Sequence, residues 1–333
     1  MNLNTDFISN LARKSLEDYR FSRAELCSLE SADNAPLNDL LYQASLVRTA
    51  KFSNKVRLCS IVPGKLGNCS EDCKWCAQSH PSSPGVIEPK RTTPAEISQA
   101  SKEAADLGSA YIGIVNSGFA PSVRDINDIE IACATANDDN PGAIKFCASL
   151  GDLTEDKARD LAKTGVVRYH HNLETSRRFF GNMVSTHTYD QKLRTLEIAK
   201  QAGLSICCGG LFGIGENWED RVDLALELRD TVKPDVVPLN FLVPVCGTKL
   251  QNQQPIAPLE ILRIIALYRI ALPNCDIKVA GGREKNLRSL QSMIFQAGAT
   301  SIMVGNYLTT AGQTPEQDIQ MIKDLELEIV SDF

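Results

Sequence analysis

Short apolar segments alternate with amphipathic helical segments from residue 56 onward, and this alternation constrains the fold more than any other feature of the chain. Eight segments have the apolar, β-branched composition of buried parallel strands. They are residues 56–62, 111–118, 143–151, 166–174, 205–213, 235–243, 276–282 and 301–308. Eight β/α units in about 280 residues predict an α/β fold, a TIM-type (β/α)8 barrel. A doubly wound open sheet is the alternative.

The predicted barrel spans residues 51–325, after an N-terminal helical extension at 1–50 and before a C-terminal tail at 326–333. The net charge of −6 implies no broad basic surface, which makes nucleic acid an unexpected partner. No apolar run approaches the ~20 residues that span a bilayer, so we expect no membrane partner. The first residues lack a basic, apolar leader, which predicts a cytoplasmic location.

Three cysteines, Cys69, Cys73 and Cys76, lie in one short run directly after the first predicted strand. Three thiolates on a 4Fe–4S cluster leave one iron open to bind a small molecule. Structural zinc usually needs four protein ligands, and no histidine follows at a finger-like spacing. Disulfides fit poorly with 11 cysteines, an odd number, in a reducing compartment. The run therefore favours an iron–sulfur loop, with zinc as the alternative.

Polar and sulfur-bearing residues end several of the predicted strands. Burying such a group without a partner costs roughly 1–3 kcal/mol, so their gathering at one end of a barrel predicts a polar ligand site. Because side chains alternate along a strand, only one of Cys207 and Cys208 should face the lumen. The strand-end residues are Cys147, Asn172, Glu174, Cys207, Asn240, Arg283, Thr309 and Thr310.

The cysteine run, with Trp75 inside it, resembles the signature of the radical S-adenosyl-L-methionine (SAM) superfamily. Later segments are similar to the biotin synthase family, and the similarity covers roughly residues 45–325. These segments are residues 169–176, 180–182, 207–216, 238–243, 282–284 and 308–310. The resemblance implies an enzyme that uses a 5′-deoxyadenosyl radical and a sulfur-donating auxiliary cluster, 2Fe–2S or larger, to convert dethiobiotin to biotin.

The resemblance also implies roles for individual residues. Cys69, Cys73 and Cys76 would hold the 4Fe–4S cluster, and with Arg283 they form the predicted catalytic set. Trp75, Glu174 and Lys192 would bind SAM. The predicted substrate ligands are Asn172 and Asn240 for the ureido ring of dethiobiotin, with Thr309 and Thr310 near its carboxylate. Cys147, Cys207 and Arg283 match three ligands of the auxiliary cluster. The implied partners are an electron donor such as flavodoxin or ferredoxin and a second copy in a homodimer.

The chain departs from the family at the fourth auxiliary ligand. The family expects a cysteine in the second strand, where this sequence has Gly113. Cys59 on the first strand and Cys246 after the sixth are unmatched and are possible replacement ligands. The alternative is that both are packing thiols. The alternative function is another radical SAM barrel enzyme without sulfur insertion, such as a mutase or a metallocofactor-maturation enzyme.

Overall fold

A closed barrel of parallel strands forms the centre of the protein. The structure is a computed structural model that describes residues 7–31, 33–305 and 312–333. The strands are β1 (Lys55–Leu66), β2 (Lys90–Arg91), β3 (Tyr111–Asn116), β4 (Lys145–Ser149), β5 (Val166–His170), β6 (Ser205–Cys207), β7 (Gly210–Phe212), β8 (Val236–Phe241), β9 (Asp276–Val279), β10 (Ser301–Met303) and β11 (Glu328–Ile329). The barrel order is β10-β9-β8-β6-β5-β4-β3-β1, and β10 pairs with β1 to close the ring. The predicted (β/α)8 barrel is confirmed, and the open-sheet alternative is wrong.

The fifth predicted strand is divided into β6 and β7. A Cβ atom on Gly209, between the two pieces, would lie 1.9 Å from the carbonyl oxygen of Pro238. Only glycine permits this approach to β8, which pairs with β6 below the break and with β7 above it. The break therefore follows from close backbone contact.

Helices surround the barrel and begin at the capping residues that the sequence supplies. Thr93 and Thr188, for example, each accept a hydrogen bond from the backbone of the third helical residue. The α-helices are Leu11–Leu16, Arg23–Cys27, Leu37–Phe52, Pro94–Asp106, Val123–Asp139, Glu155–Lys163, Arg177–Phe180, Tyr189–Gln201, Trp218–Glu227, Pro258–Ala271, Arg283–Leu287, Met293–Gln296 and Pro315–Asp324. No helix in the described part of the chain is both long and apolar enough to cross a bilayer.

The N-terminal helices pack on the outside of the barrel, against the nearly fully buried helix Pro258–Ala271. Ser15 Oγ donates to the carbonyl of Ile270 at 2.9 Å. Arg263 Nη1 donates to the carbonyls of Leu29 and Ala35, both at 2.7 Å. At the other end of the chain, β11 pairs with β1. The described N-terminal helices are thus bonded to the helix layer, and β11 is bonded to the barrel itself.

A buried ion pair joins three strands below the lumen. Arg57 of β1 donates to Asp276 of β9, and Ser301 Oγ of β10 donates to Asp276 Oδ1 at 2.6 Å. Both partners of the ion pair are almost fully buried. Removing one partner of such a pair leaves an uncompensated charge in the interior.

We expect Asp276→Ala to lower the free energy of unfolding by about 3–5 kcal/mol, because Arg57 loses its counter-ion. Urea unfolding checks this value. Asp160→Ala is the control, since the pair between Asp160 and Lys163 is exposed and should contribute almost nothing. Equal unfolding midpoints for the two variants would contradict the prediction.

Candidate active site

Two adjoining cavities extend from the barrel lumen to the loop that follows β1. The lumen cavity, of about 340 Å³, lies inside the barrel, and the loop cavity, of about 240 Å³, lies beside the cysteine run. Seven residues line both cavities: Trp75, Cys76, Gln78, Ser149, His170, Asn172 and Glu174. A molecule bound in one cavity would therefore be next to a molecule bound in the other.

The cysteine run brings its three thiols to one cavity, because Cys69, Cys73 and Cys76 all line the loop cavity. Burial raises the pKa of the Cys76 thiol to about 11. Backbone bonds fold the run on itself: the Cys76 amide donates to the Cys73 carbonyl at 3.1 Å, and the His80 amide donates to the Cys69 carbonyl at 2.8 Å. The geometry agrees with a single convergent ligand site.

Residues 182–187 anchor this loop from outside. The Asp72 carboxylate accepts hydrogen bonds from the amides of Ser185 and Thr186 at 2.9 and 3.2 Å, and from both hydroxyls. Burial acts to raise the Asp72 pKa, but the hydrogen bonds outweigh it and lower the pKa to about 2. Glu71 Oε2 lies 2.6 Å from His187 Nδ1. The Lys74 amide donates to the Met183 carbonyl at 3.1 Å, so the loop is fixed on both sides of Cys73.

Glu174 reaches the cavities through an uncommon backbone conformation, with φ at +72°. Its amide donates to the Gly209 carbonyl at 3.2 Å, and its carbonyl accepts from the Leu211 amide at 2.8 Å. Strained non-glycine residues held by flanking bonds occur often at functional sites. Burial raises the pKa of the Glu174 carboxyl, and Lys192 acts against this. Lys192 also lines the loop cavity, where its Nζ donates to the Asn172 carbonyl at 2.9 Å.

Three further thiols face the lumen cavity from three different strands: Cys59, Cys147 and Cys207. All three are buried, and burial raises the pKa of the Cys147 thiol to about 12. Cys208 points the other way and belongs to the hydrophobic core, as strand alternation requires. Cys246 is exposed and does not line the lumen cavity. The structure brings Cys59 to the predicted thiol group and leaves Cys246 outside it.

Two buried cations, Lys278 and Arg168, also line the lumen cavity. Within the described ranges, neither forms an ion pair with a carboxylate. Lys278 Nζ lies 3.7 Å from Cys207 Sγ, and Arg168 donates to Ser205 Oγ at 2.9 Å and to Tyr111 Oη at 3.3 Å. Burial acts to lower the Lys278 pKa, but negative charge on the neighbouring Cys207, Cys59 and Cys147 sulfurs outweighs burial and raises it, so thiolates there would keep the ammonium charged.

Arg283 is not part of this group, which corrects the expectation for an auxiliary-cluster ligand. Strand β9 ends at Val279, and Gly282, with φ at +82°, turns the chain into the helix Arg283–Leu287. The Arg283 side chain is fully buried and pairs with Asp318 and Glu284 at 2.8 and 3.0 Å. Its guanidinium therefore joins this turn to the helix Pro315–Asp324. Lys278, five residues earlier, supplies the cation in the lumen.

The two asparagines predicted to bind substrate both line the lumen cavity and also join neighbouring strand ends. Asn172 Oδ1 accepts from the Gly209 amide at 3.1 Å. Asn240 Oδ1 accepts from the Gly281 amide at 3.0 Å, and its Nδ2 donates to the Gly210 carbonyl at 3.2 Å. Each side-chain amide offers two N–H groups and two lone pairs, so capacity for a ligand remains. Thr309 and Thr310 lie outside the described residues.

Sequence reasoning missed Lys278, Arg168 and His170 as site residues. Side chains on one face of a strand recur every second residue, and this period would have identified all three. Counting back from Asn172 in steps of two gives His170 and Arg168, and all three line the lumen cavity. The same count back from Ala280 gives Lys278.

Within the described part of the chain, no group of three or more His, Cys, Asp or Glu side chains is arranged around a single metal ion. An iron–sulfur cluster has a core of several iron and sulfide atoms, so its thiolate ligands stand farther apart than the ligands of one ion. The thiols at the loop and those in the lumen each line a cavity, which is the arrangement that such a cluster needs.

Comparisons with known proteins agree with this geometry. Residues 66–228 match the Radical SAM superfamily, and residues 238–328 match the Biotin and Thiamin Synthesis associated domain. The biotin synthase of Trichlorobacter lovleyi is 44% identical over 98% of this chain and 97% of its own length. That of Geobacter sulfurreducens is 43% identical, over 97% and 98%.

Solved structures show the same fold at lower identity. Methylornithine synthase (PylB) has a TM-score of 0.81 at 19% identity, covering 96% of this chain and 97% of its own. The FeFe-hydrogenase maturase HydG from Carboxydothermus hydrogenoformans has a TM-score of 0.82 at 17% identity, covering 99% and 80%. At these identities the likeness concerns the fold alone.

The closed barrel, the three-cysteine loop at its mouth and the superfamily match define an enzyme of the radical SAM class. Within that class, the near full-length relatives settle the family, and the resemblance seen in the sequence is confirmed. The chain belongs to the biotin synthase family.

We expect Glu174→Gly to be more stable than Glu174→Ala by about 1 kcal/mol, because alanine keeps the strained backbone and glycine relieves it. Both variants lack the carboxylate, so the comparison isolates the backbone. Urea unfolding of the two variants measures the difference. A Glu174→Ala protein as stable as Glu174→Gly would show that position 174 is not strained.

Proposed function

We propose that this chain inserts sulfur into dethiobiotin to form biotin, with SAM in the loop cavity and a sulfur-bearing iron–sulfur cluster in the lumen. One observation carries the proposal: a lumen with three thiols and two buried cations, which have no carboxylate partner among the described residues, adjoins a cavity lined by three further thiols. A mutase or maturation enzyme on the same barrel would need the loop cavity but gives no reason for thiols and cations deep in the lumen.

The loop cavity would bind SAM. Cys69, Cys73 and Cys76 would hold the 4Fe–4S cluster, and together with SAM this cluster supplies the 5′-deoxyadenosyl radical. Trp75 offers an aromatic face to the adenine, and the Glu174 carboxylate accepts hydrogen bonds from the ribose hydroxyls. Lys192 gives one N–H to the Asn172 carbonyl and has two left for the SAM carboxylate.

The lumen would hold the auxiliary cluster, 2Fe–2S or larger, through Cys59, Cys147 and Cys207. This group supplies sulfur when it is bound. The residues fit it, because three thiolates provide the negative charge that the buried Lys278 and Arg168 lack. Isolated buried cations cost several kcal/mol, so an anionic occupant stabilises the lumen. A Cβ atom on Gly113 would meet Ile61 Cγ2 at 3.4 Å, with no backbone closer than 3.9 Å, which leaves room at that corner.

Dethiobiotin would lie in the lumen cavity, on the side that adjoins the loop cavity, where Asn172 and Asn240 hydrogen-bond the ureido ring. Leu211, Leu242 and Val243 supply apolar wall around it. A carbon radical needs such surroundings, because water and stray hydrogen donors quench it. Thr309 and Thr310 stay the proposed partners of the carboxylate tail.

The remaining partners are proposals from the family resemblance. We expect reduction by a flavodoxin or ferredoxin, assembly as a homodimer and residence in the cytoplasm. All eleven cysteines are free, which suits a reducing compartment.

We expect Cys59→Ala to lose iron and sulfide from the auxiliary cluster, while the exposed Cys246→Ala retains the wild-type content. The reason is that Cys59 lines the lumen and Cys246 does not. Iron and sulfide assays on anaerobically purified proteins measure this, and the loop cluster supplies an internal reference in each sample. Equal content in both variants, or loss only in Cys246→Ala, would contradict the assignment.

Anaerobic incubation with dethiobiotin, SAM and a reductant tests the reaction itself. We expect biotin to form together with 5′-deoxyadenosine and methionine. SAM cleavage without biotin, in protein with both clusters intact, would overturn sulfur insertion and favour the other radical SAM activities. Cys73→Ala should abolish SAM cleavage, because it removes a ligand of the loop cluster.

A further inference from the structure

Cys207 differs from the other two lumen thiols in its surroundings. His170 Nδ1 lies 3.2 Å from Cys207 Sγ, and Lys278 Nζ lies 3.7 Å from the same sulfur. Among the described residues, no side chain makes such a contact with the sulfur of Cys59 or Cys147. Two nitrogen donors from two strands, β5 and β9, thus meet on one sulfur.

His170 has no role in the proposed binding of SAM, dethiobiotin or either cluster. It lines both cavities at the base of the site. Its side chain is partly buried, and burial with the nearby Lys278 charge lowers its pKa to about 3. When Cys207 is a thiolate it can only accept, so Nδ1 carries the hydrogen and donates it. The donation does not depend on a titration, since a neutral and a charged ring can both donate from Nδ1.

Hydrogen bonds to ligand sulfurs and nearby positive charge are established means of tuning iron–sulfur clusters. A donor to a thiolate sulfur stabilises negative charge on it. The reduced state of a cluster carries one electron more than the oxidised state and gains more from each donor. The reduction potential therefore rises with the number of donors.

We propose that His170 is a positioning residue which, together with Lys278, makes Cys207 the most strongly hydrogen-bonded ligand of the auxiliary cluster and raises that cluster's reduction potential. The inference rests on the proposed function, in that Cys207 must be a cluster ligand. It goes beyond that function, because it assigns the control of the potential to two residues that lie beside one ligand.

The test is a redox titration of the auxiliary cluster, followed by electron paramagnetic resonance, in protein without SAM. We expect His170→Leu to keep its iron and to shift the one-electron reduction equilibrium by roughly tenfold toward the oxidised state, which is ~59 mV more negative. His170→Asn should restore most of the wild-type potential, because its Nδ2 lies where His170 Nδ1 lies. His80→Leu is the matched control, since His80 is exposed and outside both cavities.

Lys278→Met provides a second variant should His170→Leu fail to fold or to load, and it should shift the potential in the same direction. An unchanged potential in an iron-replete His170→Leu or Lys278→Met protein overturns the inference. So does strong nitrogen coupling to the auxiliary cluster that disappears in His170→Leu, because it would make His170 a direct iron ligand. If the wild-type protein contains only the loop cluster, the proposed function falls and the inference with it. That outcome is recognised before any variant is compared.

Discussion

Closure of the barrel between β1 and β10 is the constraint on which both cavities depend. Because Cys59 pairs with Met303 across this seam and with Tyr111 on the other side, β1 has neighbours on both edges. Side chains in a closed barrel must alternate between the lumen and the helix layer. Asp276 stabilises the seam by accepting hydrogen bonds from Arg57 of β1 and from Ser301 of β10. Asp276, the first residue of β9, thus joins three of the strands that enclose the lumen.

The lumen is electrostatically incomplete until it holds negative charge. Arg57 and Arg168 both stack on the ring of Tyr111, with guanidinium carbons 5.1 and 4.1 Å from its centre, and Lys278 lies above them beside Cys207. Of these three cations, Arg57 pairs with Asp276, and the other two have no carboxylate ion-pair partner in the described part of the chain. The neutral thiols add no charge, whereas thiolates bound to a cluster would. Loading of the proposed lumen cluster would therefore be coupled to folding, because an occupant that binds only the folded chain stabilises it.

Much of the fold and part of the site could be predicted from the sequence, for one physical reason. Strand composition and helix caps are local properties of the sequence, so they predict the eight β/α units. They also predict that the cysteine loop follows β1. The direction of a side chain at a strand end is not local. Arg283 looked like a strand-end residue, but β9 ends at Val279 and Gly282 turns the chain away from the lumen. Likewise, alternation required one of Cys207 and Cys208 to face inward, but only the pairing of β6 with its neighbours fixes which.

The segment that extends from β5 connects the two halves of the site. Arg168, His170, Asn172 and Glu174 follow one another at intervals of two residues, and the last three line both cavities. Two residues of extended chain span about 7 Å. A substrate held at Asn172 would thus lie one such step from His170, which contacts Cys207. It would also lie beside Glu174, the proposed ribose ligand, because Asn172 Nδ2 is 3.4 Å from Glu174 Oε2. A single rigid segment would set the distances from the substrate to the radical source and to the sulfur source. A carbon radical formed there would have its sulfur partner at hand before solvent or another hydrogen donor could reach it.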